Sequence, residues 1–339
     1  MSVAVITHQS SERHRAPRGH PERAERVPAV LAGVETAGVD LLRIEAPEAP
    51  RPALHLVHDP AYVDAIERFC DSGGGALDAD TFATQESWEA ALRSAGAGLA
   101  AIEALDRHDA EAAFIATRPP GHHALRSRAM GFCLFNNIAI AAAWLAERGG
   151  RVAIVDWDVH HGNGTQDLFY EDPRILYVSL HEFPAYPGTG WVDEDGEGPG
   201  AGSTINLPMP MGTTGDSYRE AYRRIIVPVL TQFDPDWVLV SCGYDAHVAD
   251  PLAGIALVAD DYRVMAGAVV TAAPPGRTIL FLEGGYDLAA IEASARETIR
   301  GVTAGAEVGD LEASASGTAA RLLDHSADTV SAHWEVVKR

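Results

Sequence analysis

Val152-Ala-Ile-Val-Asp-Trp-Asp-Val-His-His161 decides how this chain is read. A short, β-branched apolar run, Val152–Val155, reads as a strand. Polar residues then begin abruptly at Asp156. The same pattern recurs along the chain. Ala112–Ala116 leads into Arg118-Pro-Pro-Gly-His-His123, and Ile175–Leu180 into His181. Trp237–Ser241 leads into Tyr244-Asp245, and Thr278–Leu282 into Glu283-Gly-Gly-Tyr286. Val3–Thr7 and Thr204–Leu207 complete the strand set. Helical segments lie between most of them: Pro21–Thr36, Pro60–Phe69, Ser87–Leu105, Ile138–Arg148, Ser217–Gln232, Asp260–Ala272 and Leu288–Arg300. Strands alternating with helices predict one α/β domain over residues 1–339, with a mostly parallel central sheet and helices on both faces. In such a sheet ligands bind beyond the carboxyl ends of the strands. The polar clusters therefore converge on one edge.

The 339 residues carry 48 acidic and 26 basic side chains, a net charge of −22. That balance argues against binding to nucleic acid or to anionic membranes, both of which need cationic side chains against phosphate. It suits cationic substrates, and a solvated acidic surface accounts for it equally well. The three cysteines, Cys70, Cys133 and Cys242, are far apart and odd in number, so neither a disulfide framework nor a CxxC zinc pattern is present. Val3–Ile6 is too short for a signal peptide. Ile138–Ala146, the longest mostly apolar stretch, falls short of the ~20 residues that span a bilayer. A cytoplasmic protein is expected. Asp193–Gly202 reads as a glycine- and acid-rich surface loop.

If the backbone stays extended from Asp156 to His160, then Asp156, Asp158 and His160 share one face. Two carboxylates and an imidazole suit a divalent metal, and three protein ligands with an open position form a catalytic pattern. Buried, hydrogen-bonded acids at a strand end are the alternative. Asp245 supplies a third ligand if Asp158 and His160 are the first two; as a turn or cap residue it would need no metal. His122-His123 behind Pro-Pro-Gly resembles acid–base machinery, with Asp156 and Asn163 available to orient the rings. Tyr286, on a Gly284-Gly285 hinge, is either an oxyanion donor or a half-buried aromatic. Phe132 and Tyr186 sit beside glycines in loops, to line an apolar channel or to cover those loops.

RPPGHHA at 118–124, GFCLFNN at 131–137, DWDVHHGNGTQ at 156–166, YVSLH at 177–181, PGTG at 187–190, GYDAHVADPL at 243–252 and LEGGY at 282–286 together resemble the zinc-dependent histone deacetylase superfamily. GHPERAER at 19–26 is similar to its N-terminal loop. Asn163 and the tryptophan of DWD resemble the class II branch; bacterial and archaeal deacetylase-like proteins and acetylpolyamine amidohydrolases are relatives. The resemblance implies an arginase/deacetylase-like fold and hydrolysis of linear amides. It implies zinc on Asp158, His160 and Asp245, although oxygen and nitrogen ligands also accept iron(II) or cobalt. It implies His123 as general base and then acid, His122 as an electrostatic partner held by Asp156, Asn163 beside the histidine pair, and Tyr286 polarising the acetyl carbonyl. Phe132 and Tyr186, with Gly131, Gly284 and Leu252, would shape the acyl-lysine tunnel. Asp156, Asp158, His160, Ser179 and Leu180 match an inner potassium site, and Phe169, Asp172 and Ile175 part of a second one. Arg23 would line an acetate exit channel, and Asp80 would meet the substrate backbone.

Two substrate classes follow from the resemblance, acetyl-lysine in proteins or peptides and small acetylpolyamines. One polyamine-selective branch carries an acid where this chain has Leu252, so the lysine reading leads. An arginase-like enzyme with paired manganese ions needs an SxDxD arrangement, whereas Ser241-Cys-Gly-Tyr-Asp245 offers one acid. A non-catalytic acyl-lysine binding module is the third class, and its expected loss of Tyr286 or of a ligand is not seen.

Overall fold

The β-branched runs become strands in a computed structural model of the chain, which describes residues 2–306, 308–335 and 337. They are β1 (Ser2–Thr7), β2 (Asp40–Glu45), β3 (Gly75–Ala76), β4 (Phe82–Ala83), β5 (Ala112–Ala116), β6 (Val152–Asp156), β7 (Ile175–Glu182), β8 (Thr204–Met209), β9 (Trp237–Cys242) and β10 (Thr278–Leu282). Eight of them form one sheet in the order β2-β1-β5-β10-β9-β6-β7-β8. Every neighbouring pair in it is parallel. β3 and β4 pair separately as a small antiparallel hairpin.

Alternate residues of each strand enter different cores. Val3, Val5, Ala153 and Val155 face helices Arg26–Glu35, Ala259–Ala272 and Leu288–Ala304. Ala4, Ile6, Val152 and Ile154 face helices Ser87–Asp106 and Asn137–Ala146 on the other side. Burial on both faces is why the central strands read as unbroken apolar runs.

Several elements were not visible in the sequence pattern. β2 reads Asp-Leu-Leu-Arg-Ile-Glu and is mostly exposed, because it pairs only with β1 at the sheet edge. Helices Asn163–Phe169 and Gly317–Val330 were also missed. The helix expected from Pro21 begins only at Arg26. Glu22 is drawn instead into a buried cluster with Arg118, which holds residues 21–25 in a turn. The Ser217–Gln232 helix is interrupted by a π turn at Tyr222–Ile226, just before Pro228. Proline has no N–H to continue the helical ladder, and the widened turn accommodates it.

Candidate active site

The central strands β5, β10, β9 and β6 are neighbours, and all run the same way. Their carboxyl ends bring the histidine pair, the Gly-Gly-Tyr hinge, Asp245 and the Asp156–His161 stretch into one place. The extended backbone expected through His160 does not persist. β6 ends at Asp156, and residues 158–160 bend. Asp156 therefore does not join Asp158 and His160. Its Oδ2 accepts from His122 Nδ1 at 3.0 Å and from the Tyr177 hydroxyl at 3.0 Å, while Oδ1 accepts from Asp158 N at 3.1 Å.

The bend swings Asp158 and His160 toward Asp245. One potential ligand atom from each of the three lies within 4.8 Å of the others. His160 Nδ1 is 3.3 Å from Asp158 Oδ1 and 3.1 Å from Asp245 Oδ2. Backbone amides fix the carboxylates: Gly284 N donates to Asp158 Oδ2 at 2.6 Å, His160 N to Asp158 Oδ1 at 2.9 Å, and Val159 N to Asp245 Oδ1 at 2.9 Å. The cradle admits only glycine around it. A Cβ on Gly284 would lie 2.0 Å from Asp245 Oδ2, and one on Gly243 2.1 Å from Asp158 Oδ2. Two carboxylates and an imidazole, converging and held by backbone, fit a divalent cation. Among the described residues this is the one such group.

His123 Nδ1 lies 2.8 Å from Asn163 Oδ1. Because the amide oxygen only accepts, Nδ1 carries the proton and Nε2 is left as the basic atom. Burial, reinforced by the neighbouring His122 and His160, holds His123 well below the ordinary histidine range. The adjacent ring behaves oppositely. Burial opposes a charge on His122, but the carboxylates of Asp158 and Asp156 outweigh it and push the imidazole up to about 10. The pair thus divides into a charged ring and a neutral one.

A cavity of about 200 Å³ connects these groups to the surface. His122, His123, His160 and Tyr286 line its buried part, and Tyr186 and Leu252, 39% and 42% exposed, its rim. The Tyr186 ring stands edge-on to His123 with centroids 5.1 Å apart, and Phe132 edge-on to Tyr286 at 5.9 Å. Phe132 has φ +67°, an outlying value for an aromatic, and follows Gly131 at φ +56°. Such strained backbone clusters at ligand sites. A Cβ on Gly131 would lie 2.3 Å from His123 Cδ2, so the glycine gives the base its room. Asp80 also lines the cavity.

Arg23 is exposed and is not among the residues lining this cavity; it lines a neighbouring groove that shares Leu252 and Tyr286 with it. The buried guanidinium is Arg26, three residues on, with its Cζ 5.0 Å from the Tyr286 ring centroid. Arg26 Nε donates to Gly285 O at 2.5 Å and Nη1 to Glu22 Oε1 at 3.0 Å. Glu22 also accepts from Arg118. Glu283 Oε2 accepts from Gly121 N at 2.7 Å and His122 N at 3.2 Å, joining the histidine turn to β10. Glu22, Arg26, Arg118 and Glu283 all lie within the quoted motifs, but spacing alone does not reveal their pairing. Asp156 and Ser179 face each other across β6 and β7, with Leu180 next in the strand, all buried. In the stretch matching the second potassium site, Phe169 O accepts from Asp172 N, Asp172 O from Ile175 N, and the Asp172 carboxylate pairs with Arg174.

Residues 20–302 match the family model of the histone deacetylase domain. The chain belongs to the histone deacetylase family. A probable deacetylase of Archaeoglobus fulgidus is 38% identical over 296 residues, 85% of this chain and 82% of that protein. A histone deacetylase-like amidohydrolase of Pseudomonas aeruginosa is 39% identical over 279 residues, covering 80% and 73%. The crystal structure of the HDA15 HD domain superposes with a TM-score of 0.93 at 33% identity, covering 99% of this chain and 96% of that one. The fold is therefore the deacetylase fold, and the protein is a deacetylase-family amidohydrolase. No helix among the described residues is long and apolar enough to cross a membrane.

Proposed function

We propose that the chain, acting as one catalytic unit over residues 1–339, hydrolyses N-acetyl amides of lysine side chains in proteins or peptides to acetate and free amine. The observation that carries this reading is the neutral His123, oriented by Asn163, in one narrow cavity with Tyr286 and the Asp158–His160–Asp245 group. Those three residues would hold zinc, with iron(II) or cobalt as chemical equivalents. When bound, the ion supplies Lewis-acid polarisation of the acyl carbonyl and of the attacking water.

His123 Nε2 takes the proton as water attacks the carbonyl carbon, and returns it to the amine nitrogen as the C–N bond breaks. Burial, reinforced by Asp245, keeps the Tyr286 phenol protonated, so its hydroxyl donates to the developing oxyanion. His122, charged and tied to Asp156, adds a fixed positive field. Phe132 and Tyr186 flank the lysine methylenes and limit water.

Asp156, Asp158, His160, Ser179 and Leu180 would hold potassium behind the site. Among the described residues, the carbonyls of Asp158 and His160 accept no backbone N–H. His181 Nε2 donates to Gly190 O at 2.9 Å, so its Nδ1 accepts the Ser179 proton and the Ser179 oxygen keeps its lone pairs. The free, buried cysteines suit a reducing cytoplasm.

Asp80 in the cavity lining and the net charge of −22 favour a second reading, an acetylpolyamine substrate. Leu252 at the rim cannot pair with a second ammonium, and local contact decides specificity more than a screened general field. The test compares kcat/KM on acetyl-lysine peptides and N-acetylspermidine at moderate salt. The peptide should win, and Leu252→Glu should move the ratio toward the polyamine. Preference of the unmodified protein for the polyamine would overturn the choice. Tyr286→Phe should keep its metal and lose about 10²–10³-fold in kcat.

A further inference from the structure

The oxyanion donor sits on a segment that cannot fix itself. Gly284 and Gly285 precede Tyr286, and Gly285 has φ +109°, so the local chain does little to set where the phenol points. Something outside the hinge must hold it. Arg26 grips one side, through Gly285 O and the face of the ring.

The other side is held by Asp250, which follows the Gly-Tyr-Asp245 turn in the chain and is 6% exposed. Its Oδ2 accepts from Tyr286 N at 2.6 Å and from Asp287 N at 3.4 Å. Its Oδ1 accepts from Leu252 N at 3.0 Å. One buried carboxyl therefore joins the backbone of the oxyanion donor to that of the cavity rim. It is not among the residues lining the cavity, and its hydrogen bonds go to Tyr286, Asp287 and Leu252 rather than to the metal group. A buried carboxyl that spends both oxygens on backbone amides of two loops costs desolvation, and its return is the fixed relation between those loops.

We propose that Asp250 is the positioning residue that sets the Tyr286 hydroxyl and couples it to the substrate rim at Leu252. This rests on the reading of Tyr286 as the oxyanion donor. Without the carboxylate, that side of the hinge loses its anchor, leaving the phenol free to shift by about 1 Å. A displacement of that size costs about 10²-fold in rate.

A double-mutant cycle on an acetyl-lysine peptide separates positioning from general stability. The four proteins are wild type, Asp250→Ala, Tyr286→Phe and the double variant, with kcat, KM and bound zinc measured for each. Asp250→Ala should keep its zinc and lose about 10²-fold in kcat with little change in KM. In the Tyr286→Phe background the same change should cost less than about threefold, because the hydroxyl it positions is gone. Asp250→Asn retains one acceptor oxygen for three amides and should fall between wild type and Asp250→Ala; it takes the place of Asp250→Ala in the cycle if that variant does not fold. A slow Tyr286→Phe on which the Asp250 change multiplies in full refutes the positioning role and leaves the reading of Tyr286 standing. A Tyr286→Phe at the wild-type rate removes that reading, and the role of Asp250 with it.

Discussion

Glu22→Gln tests whether the buried ion cluster behind the site carries stability and function together. Glu22 is 1% exposed, and Arg26 and Arg118 are fully buried. The carboxylate accepts from Arg118 Nε and Nη2 and from Arg26 Nη1, with His14 Nε2 at 3.6 Å. Glutamine keeps the volume but offers one neutral acceptor, and its amide N–H₂ faces a guanidinium donor. Two cations then share a buried pocket without the anion that joined them. Breaking a buried pair in this way costs about 3–5 kcal/mol, against a total stability of about 5–15 kcal/mol. Burial opposes charge on Glu22, but Arg118, His14 and Arg26 outweigh it and hold the carboxyl well below the usual carboxylate range. A depressed carboxyl contributes stability that is present above its unfolded value and is lost only as pH falls through the folded value. The difference between variant and wild type should therefore stay constant from pH 6 to 8 and shrink only in strong acid. Urea titrations at several pH values measure it. Because Arg26 also grips Gly285 O, kcat should fall as well in the folded variant. A loss under about 1 kcal/mol, the scale of an exposed pair, would refute the reasoning.

His160→Ala should lower the metal content of the purified protein, whereas His123→Ala should keep the metal and lose turnover. Unchanged metal in single substitutions at Asp158, His160 and Asp245 alike would discard the ligand assignment. Gly131→Ala forces a Cβ to within 2.3 Å of the His123 ring, and kcat should drop by about 10²-fold with the metal retained; a wild-type rate would show that His123 tolerates displacement. His58, whose Nδ1 donates to Leu125 O at 3.0 Å and whose Nε2 accepts from Asn136 N at 2.9 Å, is lowered by burial from 6.5 to about 4. Its stabilisation is full above 6.5 and is lost as pH falls toward 4, by about 3 kcal/mol. His58→Gln should flatten that slope in urea titrations, and parallel slopes would contradict the assignment.

Periodicity and strand-end punctuation in the chain already determined the parallel sheet and the edge on which chemistry gathers. An apolar run that stops at Asp156 or Glu283 can be read without coordinates, because the end of a strand buried on both faces is where such residues find room, whereas β7 runs on through His181 to Glu182. The motifs likewise marked His122, His123, Asp158, His160, Asp245 and Tyr286. Only the tertiary structure decided which of them touch. Asp156 and Asp158 are two residues apart, yet the bend after β6 sends one to His122 and the other toward Asp245. Arg23 and Arg26 carry the same charge in one motif, but the helix beginning at Arg26 buries only the second beneath Tyr286. Asp250 became visible as a link because β9 and β10 are adjacent in the sheet although far apart in the chain. Strand order is set by packing across both cores. Sequence spacing records what is near along the backbone, and the contacts that orient a reacting group are made between segments that only the assembled sheet brings together.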